Sequence, residues 1–403
     1  MTARHKLTFA VLCAGHFVND AYSSIIFPLL PLLKQRLDLT TSQVFWLAPL
    51  YAISSSLMQP VYGFISDRYA RRSFAVFGPA VTGIFVSMIG PAPSYGMLIL
   101  ILMAGGIGIG AFHPQGAAMA TAASGERRRV GMAIFSASGT VGYSLGPVAI
   151  ALIYASFGLD RTYYIAIVGL LMTAVMFRYC PPLEDKRVAH TSGETKWRFI
   201  AALKKVWKPI LLLYLITVIR SGLQMTTNNY LPFLLGERGY AVTGTGAVMT
   251  VFLLLGGVGG LAGGFIAERV SGRAVTLYSG LLSGPLMVAA FLTSGPLSVI
   301  LLALGGFMLL STLPVNVAMA QEFMPEHTST VSAWMMGAAW GVGALAPPAL
   351  DMFVPRFGFT TVLVFASSAT LLSALFAYLL PRDESAHRRV VQTEAVTAHA
   401  AGD

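Results

Sequence analysis

A charged ten-residue motif occurs twice in this chain, and its spacing constrains the fold. Residues 63 to 72 read Gly-Phe-Ile-Ser-Asp-Arg-Tyr-Ala-Arg-Arg and residues 264 to 273 read Gly-Phe-Ile-Ala-Glu-Arg-Val-Ser-Gly-Arg, an offset of 201 positions in a chain of 403. A repeat of half the chain length implies two units that fold alike and meet at a shared surface. With 55% hydrophobic and 11% charged residues, neither unit has the polar side chains to cover a surface facing water. The repeated unit is therefore read as a helix bundle in a bilayer.

A bilayer core takes roughly 20 mostly apolar residues per helix. Charged or Pro/Gly-rich breaks divide the chain into twelve such stretches, near 7–33, 42–66, 73–91, 96–123, 130–157, 162–180, 209–235, 243–267, 274–293, 297–320, 328–354 and 359–380. The expected fold class is an all-α integral membrane protein with twelve transmembrane helices in two pseudo-symmetric six-helix bundles. Its parts are an N-terminal bundle at 1–180, a cytoplasmic linker at 181–208, a C-terminal bundle at 209–380 and a disordered cytoplasmic tail at 381–403. The apolar run from Leu7 to Leu33 is longer than a signal-peptide core and is read as a retained first span.

A formal charge of +10 would suggest nucleic acid in a soluble protein; in a membrane protein, what matters is the side on which the basic residues lie. Of 27 Lys and Arg, 21 fall in the N-terminus, the connections on that side and the tail, five in the opposite loops, and one, Arg220, inside a span. The positive-inside rule then places both termini in the cytoplasm and the chain in the inner or plasma membrane. No nucleic-acid partner is expected. Cys13 and Cys180 lie in apolar segments without metal-ligand or disulfide spacing and read as packing residues.

An Asp near the centre of a membrane helix costs about 2.5–3.5 kcal/mol on insertion scales, so such a residue faces water or a partner. Span one carries His16, Asn19 and Asp20 at three- and four-residue spacing, which puts them on one helical face. Asp20 reads as a proton-binding carboxylate with His16 as its tuning or relay partner; a purely structural His–Asp bond is the alternative. Arg220 sits at nearly the repeat-equivalent depth, followed on span seven by Gln224 and Asn228, with Thr227 and Asn229 beside them. A guanidinium there suits a carboxylate or phosphonate, gripped bidentately. A permanent Asp20–Arg220 ion pair is the other reading. In span four, Pro114 frees backbone carbonyls next to His113, which is assigned to the substrate site together with Asn19, Gln59 and Asn316.

The first motif copy supplies Asp67, Arg68, Arg71 and Arg72 for a gate, and the second supplies Glu268 and Arg269. Arg127, Arg128 and Arg129 open span five on the same side. An Asp67–arginine contact is the expected latch of the cytoplasmic gate, with a charge run that merely marks topology as the alternative. The decapeptide resembles the loop signature of the major facilitator superfamily, Gly-x-x-x-Asp-Arg-x-x-Arg-Arg/Lys. Gly139, Gly142, Gly146 and Pro147 resemble that superfamily's antiporter signature without its trailing glycine pair, or serve close helix packing. Four further motifs are similar to the fosmidomycin resistance branch: His16-x-x-Asn19-Asp20, Gln59-Pro60 leading to Asp67, Phe112-His113-Pro114, and Ala320-Gln321-Glu322-x-x-Pro325.

That resemblance implies a proton-driven exporter of small drug-like anions, with Glu322 as a gate contact or a membrane-edge charge. The expected cycle has Arg220, Gln224, Asn228 and His113 bind the compound while Asp20 gives a proton to the cytoplasm. A proton from outside then reaches Asp20 or His16 and releases it. A proton-coupled importer of organic anions or sugars shares all of this geometry. An enzyme is not expected, for no nucleophile or metal cluster is apparent. Partners are the substrate, protons and the bilayer. The proton gradient supplies the energy, no cofactor is expected, and the functional unit is a monomer.

Overall fold

The computed structural model describes residues 3–65, 71–125, 128–181 and 194–381. Asp67, Arg68, Arg127 and the tail lie outside the described residues, as do the side chains of Arg71 and Arg129. The expected Asp67–arginine latch therefore lies outside them too.

The first half contains α1 (Ala3–Ser24), α2 (Ile26–Arg36), α3 (Thr41–Ala52), α4 (Gln59–Ile65), α5 (Arg71–Ser87), α6 (Tyr95–Ala123), α7 (Arg128–Phe157) and α8 (Ala166–Tyr179). The second contains α9 (Glu194–Glu237), α10 (Val242–Arg269), α11 (Gly272–Leu292), α12 (Gly295–Leu310), α13 (Leu313–Phe323), α14 (Thr328–Ala333), α15 (Ala339–Gly343), α16 (Ala346–Asp351), α17 (Val354–Ser368) and α18 (Thr370–Leu379). No strand occurs among the described residues. Eight helical stretches are long and apolar enough to cross a membrane, and α5 is a shorter apolar helix. The other three spans are broken ones: α1 with α2, α3 with α4, and α14 to α16. Together they make the twelve spans of two six-helix halves.

One expected boundary shifts. Residues 194–208, read as part of the linker, are helical and run into span seven with a bend at Val206. A 44-residue helix is about 66 Å long at ~1.5 Å per residue, twice the thickness of a hydrocarbon core. Its first turns, with Lys204, Lys205 and Lys208, therefore extend beyond the lipid tails.

The two halves share one core at one end and keep separate cores at the other. Opposite the termini, a single apolar cluster joins Phe45, Leu47 and Leu30 of the first half to Tyr230, Leu234 and Phe291 of the second. At its centre the Phe45 ring lies 4.4 Å from Tyr230, 5.6 Å from Phe233 and 6.3 Å from Phe359. The Tyr230 hydroxyl donates to the Pro347 carbonyl at 2.5 Å, so the polar end of this plug is satisfied. On the terminus-bearing side the buried apolar residues split into one cluster around Leu12, Phe112 and Met176 and another around Leu213, Val315 and Met335. The molecule is sealed at one face and divided at the other.

Two π-helical turns, Ile53–Leu57 and Trp334–Ala338, interrupt spans two and eleven. Each contains an extra residue per turn, a distortion common at functional sites. Glycines in the facing helix make room for the first: a Cβ at Gly106 or Gly110 of α6 would collide with Ser54 and Ser55. The turns approach each other across the halves, with Ser56 near Gly337 and Leu57 packed over Gly341 of the adjoining α15.

The repeat also holds at the level of side-chain contacts. Arg72 donates to the carbonyl of Phe177 and lies 4.8 Å from that ring's centre. At the same 201-residue offset, Arg273 donates to Ala377 and Tyr378 carbonyls and lies 5.5 Å from the Tyr378 ring. A guanidinium on the last carbonyls of a helix sits at the negative end of its dipole. Arg72, expected at the gate, anchors α5 to α8 within its own half.

Candidate functional site

Helical spacing puts His16 and Asp20 one turn apart on α1, and α6 brings His113 to them. His16 Nε2 is 3.2 Å from Asp20 Oδ2, and His113 Nε2 is 3.4 Å from Asp20 Oδ1. Behind them, His16 Nδ1 lies 2.7 Å from the Phe135 carbonyl of α7, with its ring stacked on Phe135 at 4.2 Å. A carbonyl only accepts, so Nδ1 carries a hydrogen. Nε2 then faces a carboxylate oxygen, and two lone pairs at that distance would repel. The His16–Asp20 pair consequently holds a proton or another cation between its polar atoms.

The glycine stripe of α7 makes this arrangement possible. A Cβ at Gly139 would stand 2.6 Å from Asp20 Oδ2 and overlap the His16 ring. Gly142 and Gly146 likewise let α7 lie against the backbone carbonyls of Phe17 and Ala21 in α1, as the close-packing reading of the stripe expects. Side-chain exposure rises from 9% at His16 to 16% at Asp20 and 27% at His113, so the cluster opens on the His113 side.

Asn19 parts from its neighbours. It is fully buried and accepts a hydrogen bond from Thr82 of α5 at 3.0 Å, facing into the first bundle. Asn316 is tied in the same way in the second half, accepting from Thr276 at 3.2 Å and donating to Thr217 at 3.4 Å. Gln59 donates to the Ser55 carbonyl at 3.0 Å, at the end of the first π turn. Asn19 and Asn316 tie neighbouring helices within their own halves, and Gln59 bonds back along its own span, in this conformation.

Arg220 is 4% exposed and bound to backbone. Its Nε donates to the Leu309 carbonyl at 3.0 Å, and one terminal nitrogen donates to the carbonyls of Met308 at 2.7 Å and Leu309 at 2.6 Å and to Ser279. Span ten breaks after Leu310, leaving carbonyls without helical partners, and the guanidinium caps that broken end. No Asp20–Arg220 ion pair forms: the carboxylate's ionic partners are the two histidines. The other terminal nitrogen of Arg220 has no hydrogen-bond partner among the described residues. A cavity of about 10 Å³ adjoins it, lined by Thr217, Gln224 and Asn316 among others, room for one water.

Further along α9 lie several side-chain oxygens without partners among the described residues. Gln224 Oε1, Thr226 Oγ1, Thr227 Oγ1, Asn228 Oδ1 and Asn229 Oδ1 are all buried and unsatisfied. Folded proteins leave few such atoms, so a concentration of them marks a surface for water or ligand. Asn228 donates to the Tyr143 hydroxyl at 3.2 Å, bridging the halves. Tyr143 was not singled out from the sequence; its signal is the i, i+4 series Phe135, Gly139, Tyr143 along α7. At the terminus-bearing ends, Arg128, Glu268, Arg269 and Glu322 are exposed.

The chain has relatives along nearly its whole length. The chain is 29% identical over 376 residues to an uncharacterized MFS-type transporter, YfnC, of Bacillus subtilis (strain 168), covering 92% of this chain and 91% of that one. It is 26% identical over 389 residues to the fosmidomycin resistance protein of Escherichia coli (strain K12), covering 94% of each. A crystal structure of a bacterial homolog of the human lysosomal transporter Spinster, inward-facing and unoccupied, superposes with a TM-score of 0.78 at 16% identity, covering 94% of this chain and 97% of that one. Residues 12–243 and 213–402 each match the family model described as Major Facilitator Superfamily. Two half-length bundles, twelve spans and a family match in each half lead to one conclusion: the chain belongs to the major facilitator superfamily, and it is a multi-pass membrane transporter rather than an enzyme.

Proposed function

We propose that the protein is a proton-coupled antiporter in the inner or plasma membrane, its termini in the cytoplasm, that exports a small anionic drug-like compound by alternating access. The observation that carries this reading is the His16–Asp20 pair, whose geometry requires a proton or cation between the two side chains. The pair is partly exposed through His113, which supports exchange of its proton with solvent. The similarity to a fosmidomycin resistance protein supports export and an anionic, phosphonate-like substrate. Gln224 and Asn228, one turn apart on α9 and each with an unsatisfied buried oxygen, form part of the substrate wall. Arg220 contributes its unpartnered nitrogen from behind that wall, and engages an anion more fully when span ten shifts and the Leu309 carbonyl lets go.

In the proposed cycle, substrate enters from the terminus-bearing face and Asp20 loses its proton there. The plug around Phe45 then parts while the opposite end closes. A proton from outside returns to Asp20 or His16, and the substrate leaves. The interface supports such rocking, since its apolar seal is confined to one end.

Counterflow in proteoliposomes with fosmidomycin as the probe tests direction and coupling together. An antiporter accumulates it only when the opposite compartment is the more acidic, and Asp20→Asn removes that dependence. Accumulation with acid on the same side as the external substrate would instead establish import by symport.

A further inference from the structure

We propose that His16, Asp20 and His113 form a binding site for a divalent transition-metal ion of the zinc class. The linear sequence gives no metal-ligand spacing, because the third ligand comes from a different helix. The fold brings one atom from each residue within 4.8 Å of the others. At metal–ligand bonds of about 2.0–2.2 Å, the edge of a coordination tetrahedron is about 3.3–3.6 Å. His16 Nε2 stands 3.2 Å from Asp20 Oδ2 and His113 Nε2 3.4 Å from Asp20 Oδ1, so each imidazole lies at about that spacing from one oxygen of the carboxylate they share. An ion among the three is reached by a small rotation of the carboxylate or by bidentate binding, with an approach of the two imidazoles, and His113, the most exposed of the three side chains, has room to make it.

Three further features fit a metal. His16 donates its Nδ1 hydrogen to the Phe135 carbonyl at 2.7 Å, which fixes the tautomer with Nε2 free as a ligand; zinc-bound histidines are commonly oriented this way. Asp20 Oδ1 is buried without a hydrogen-bond partner, an electron pair facing the ligand position. Donors of two imidazoles and one carboxylate match zinc and cobalt and disfavour magnesium and calcium, which take oxygen. Any remaining coordination position is left to water.

The ion would occupy the place held by the proton in the cycle above, but its binding rests on the cluster's geometry and not on transport. The test therefore reads binding alone. Purified full-length protein without a histidine tag is titrated with Co²⁺, followed by visible absorption, and then with Zn²⁺. The expected result is one Co²⁺ per chain with the intense visible band of a four- or five-coordinate site, displaced by Zn²⁺. Asp20→Asn and His113→Gln should each weaken Zn²⁺ binding by more than about tenfold, since even outer-shell changes at such sites cost 10–100-fold. A double variant, His5→Gln with His327→Gln, should bind as the wild type does. Asp20→Asn is nearly isosteric, and a thermal unfolding transition retained in either variant validates its reading. A wild-type spectrum no different from aqueous Co²⁺ would overturn the proposal. So would binding that survives both cluster variants or disappears with His5 and His327.

Discussion

The two halves repeat one fold but treat their buried charges in opposite ways. In the first, Asp20 is met by two histidines and opens toward solvent through one of them. In the second, Arg220 at almost the same depth is met by backbone carbonyls of a broken helix and is nearly sealed. Asn19 is the residue at the 201-residue offset from Arg220, and it too is turned into its own bundle. Gly139, which makes room for the His16–Asp20 pair, has Trp340 at its offset. Duplication supplied the scaffold, and divergence at a few positions gave one half a titratable site and the other a fixed charge.

The largest effect expected is from Asp20→Asn. It should abolish uphill exchange in a pH gradient while leaving the fold intact, as checked by counterflow and by thermal unfolding. Uphill transport surviving in this variant would remove Asp20 from the coupling and dissolve the contrast between the halves.

Next comes Gly139→Ala. A methyl group there overlaps His16 and approaches Asp20, and overpacking of this kind costs about 1–3 kcal/mol. Both the unfolding midpoint and the pH dependence of transport should change. The matching change in the second half, Trp340→Ala, should leave the pH dependence as it was.

Arg220→Lys follows. An ammonium cannot bridge the Met308 and Leu309 carbonyls with the planar fork that a guanidinium offers, and a buried carbonyl left unpaired costs about 1–3 kcal/mol. Stability should fall by an amount in that range without a change in proton coupling. Coupling lost with stability unchanged would mean that Arg220 takes part in proton exchange.

The smallest effect is at the plug. Phe45→Leu removes aromatic contacts to Tyr230, Phe233 and Phe359, each worth about 0.5–1.5 kcal/mol beyond burial. Cysteine labelling from the face opposite the termini should rise several-fold. Labelling that did not change would place the seal elsewhere.

How much of this was legible in the sequence differs from residue to residue. The twelve spans follow from apolar length, and the halves from the repeated motif, because both depend on properties that the chain carries locally. His16 and Asp20 were legible because i, i+4 spacing on a helix fixes their proximity. The partners of Arg220 were not, since backbone carbonyls at a helix break have no side-chain signature. Asn19 was assigned to the cavity with Asp20, yet adjacent positions on a helix point about 100° apart, and Thr82 captured it. The helical extension over 194–208 was masked by its charges, which suit a helix emerging from the lipid as well as a loop.

In the proposed cycle the His16–Asp20 pair exchanges a proton with solvent while Arg220 does not. Infrared difference spectroscopy between acid and alkaline pH measures this directly, comparing the wild type with Asp20→Asn in the carboxyl and imidazole bands. A titrating signal in the wild type should vanish in Asp20→Asn and persist in Arg220→Lys. A wild-type spectrum with no pH-dependent signal removed by Asp20→Asn would contradict it.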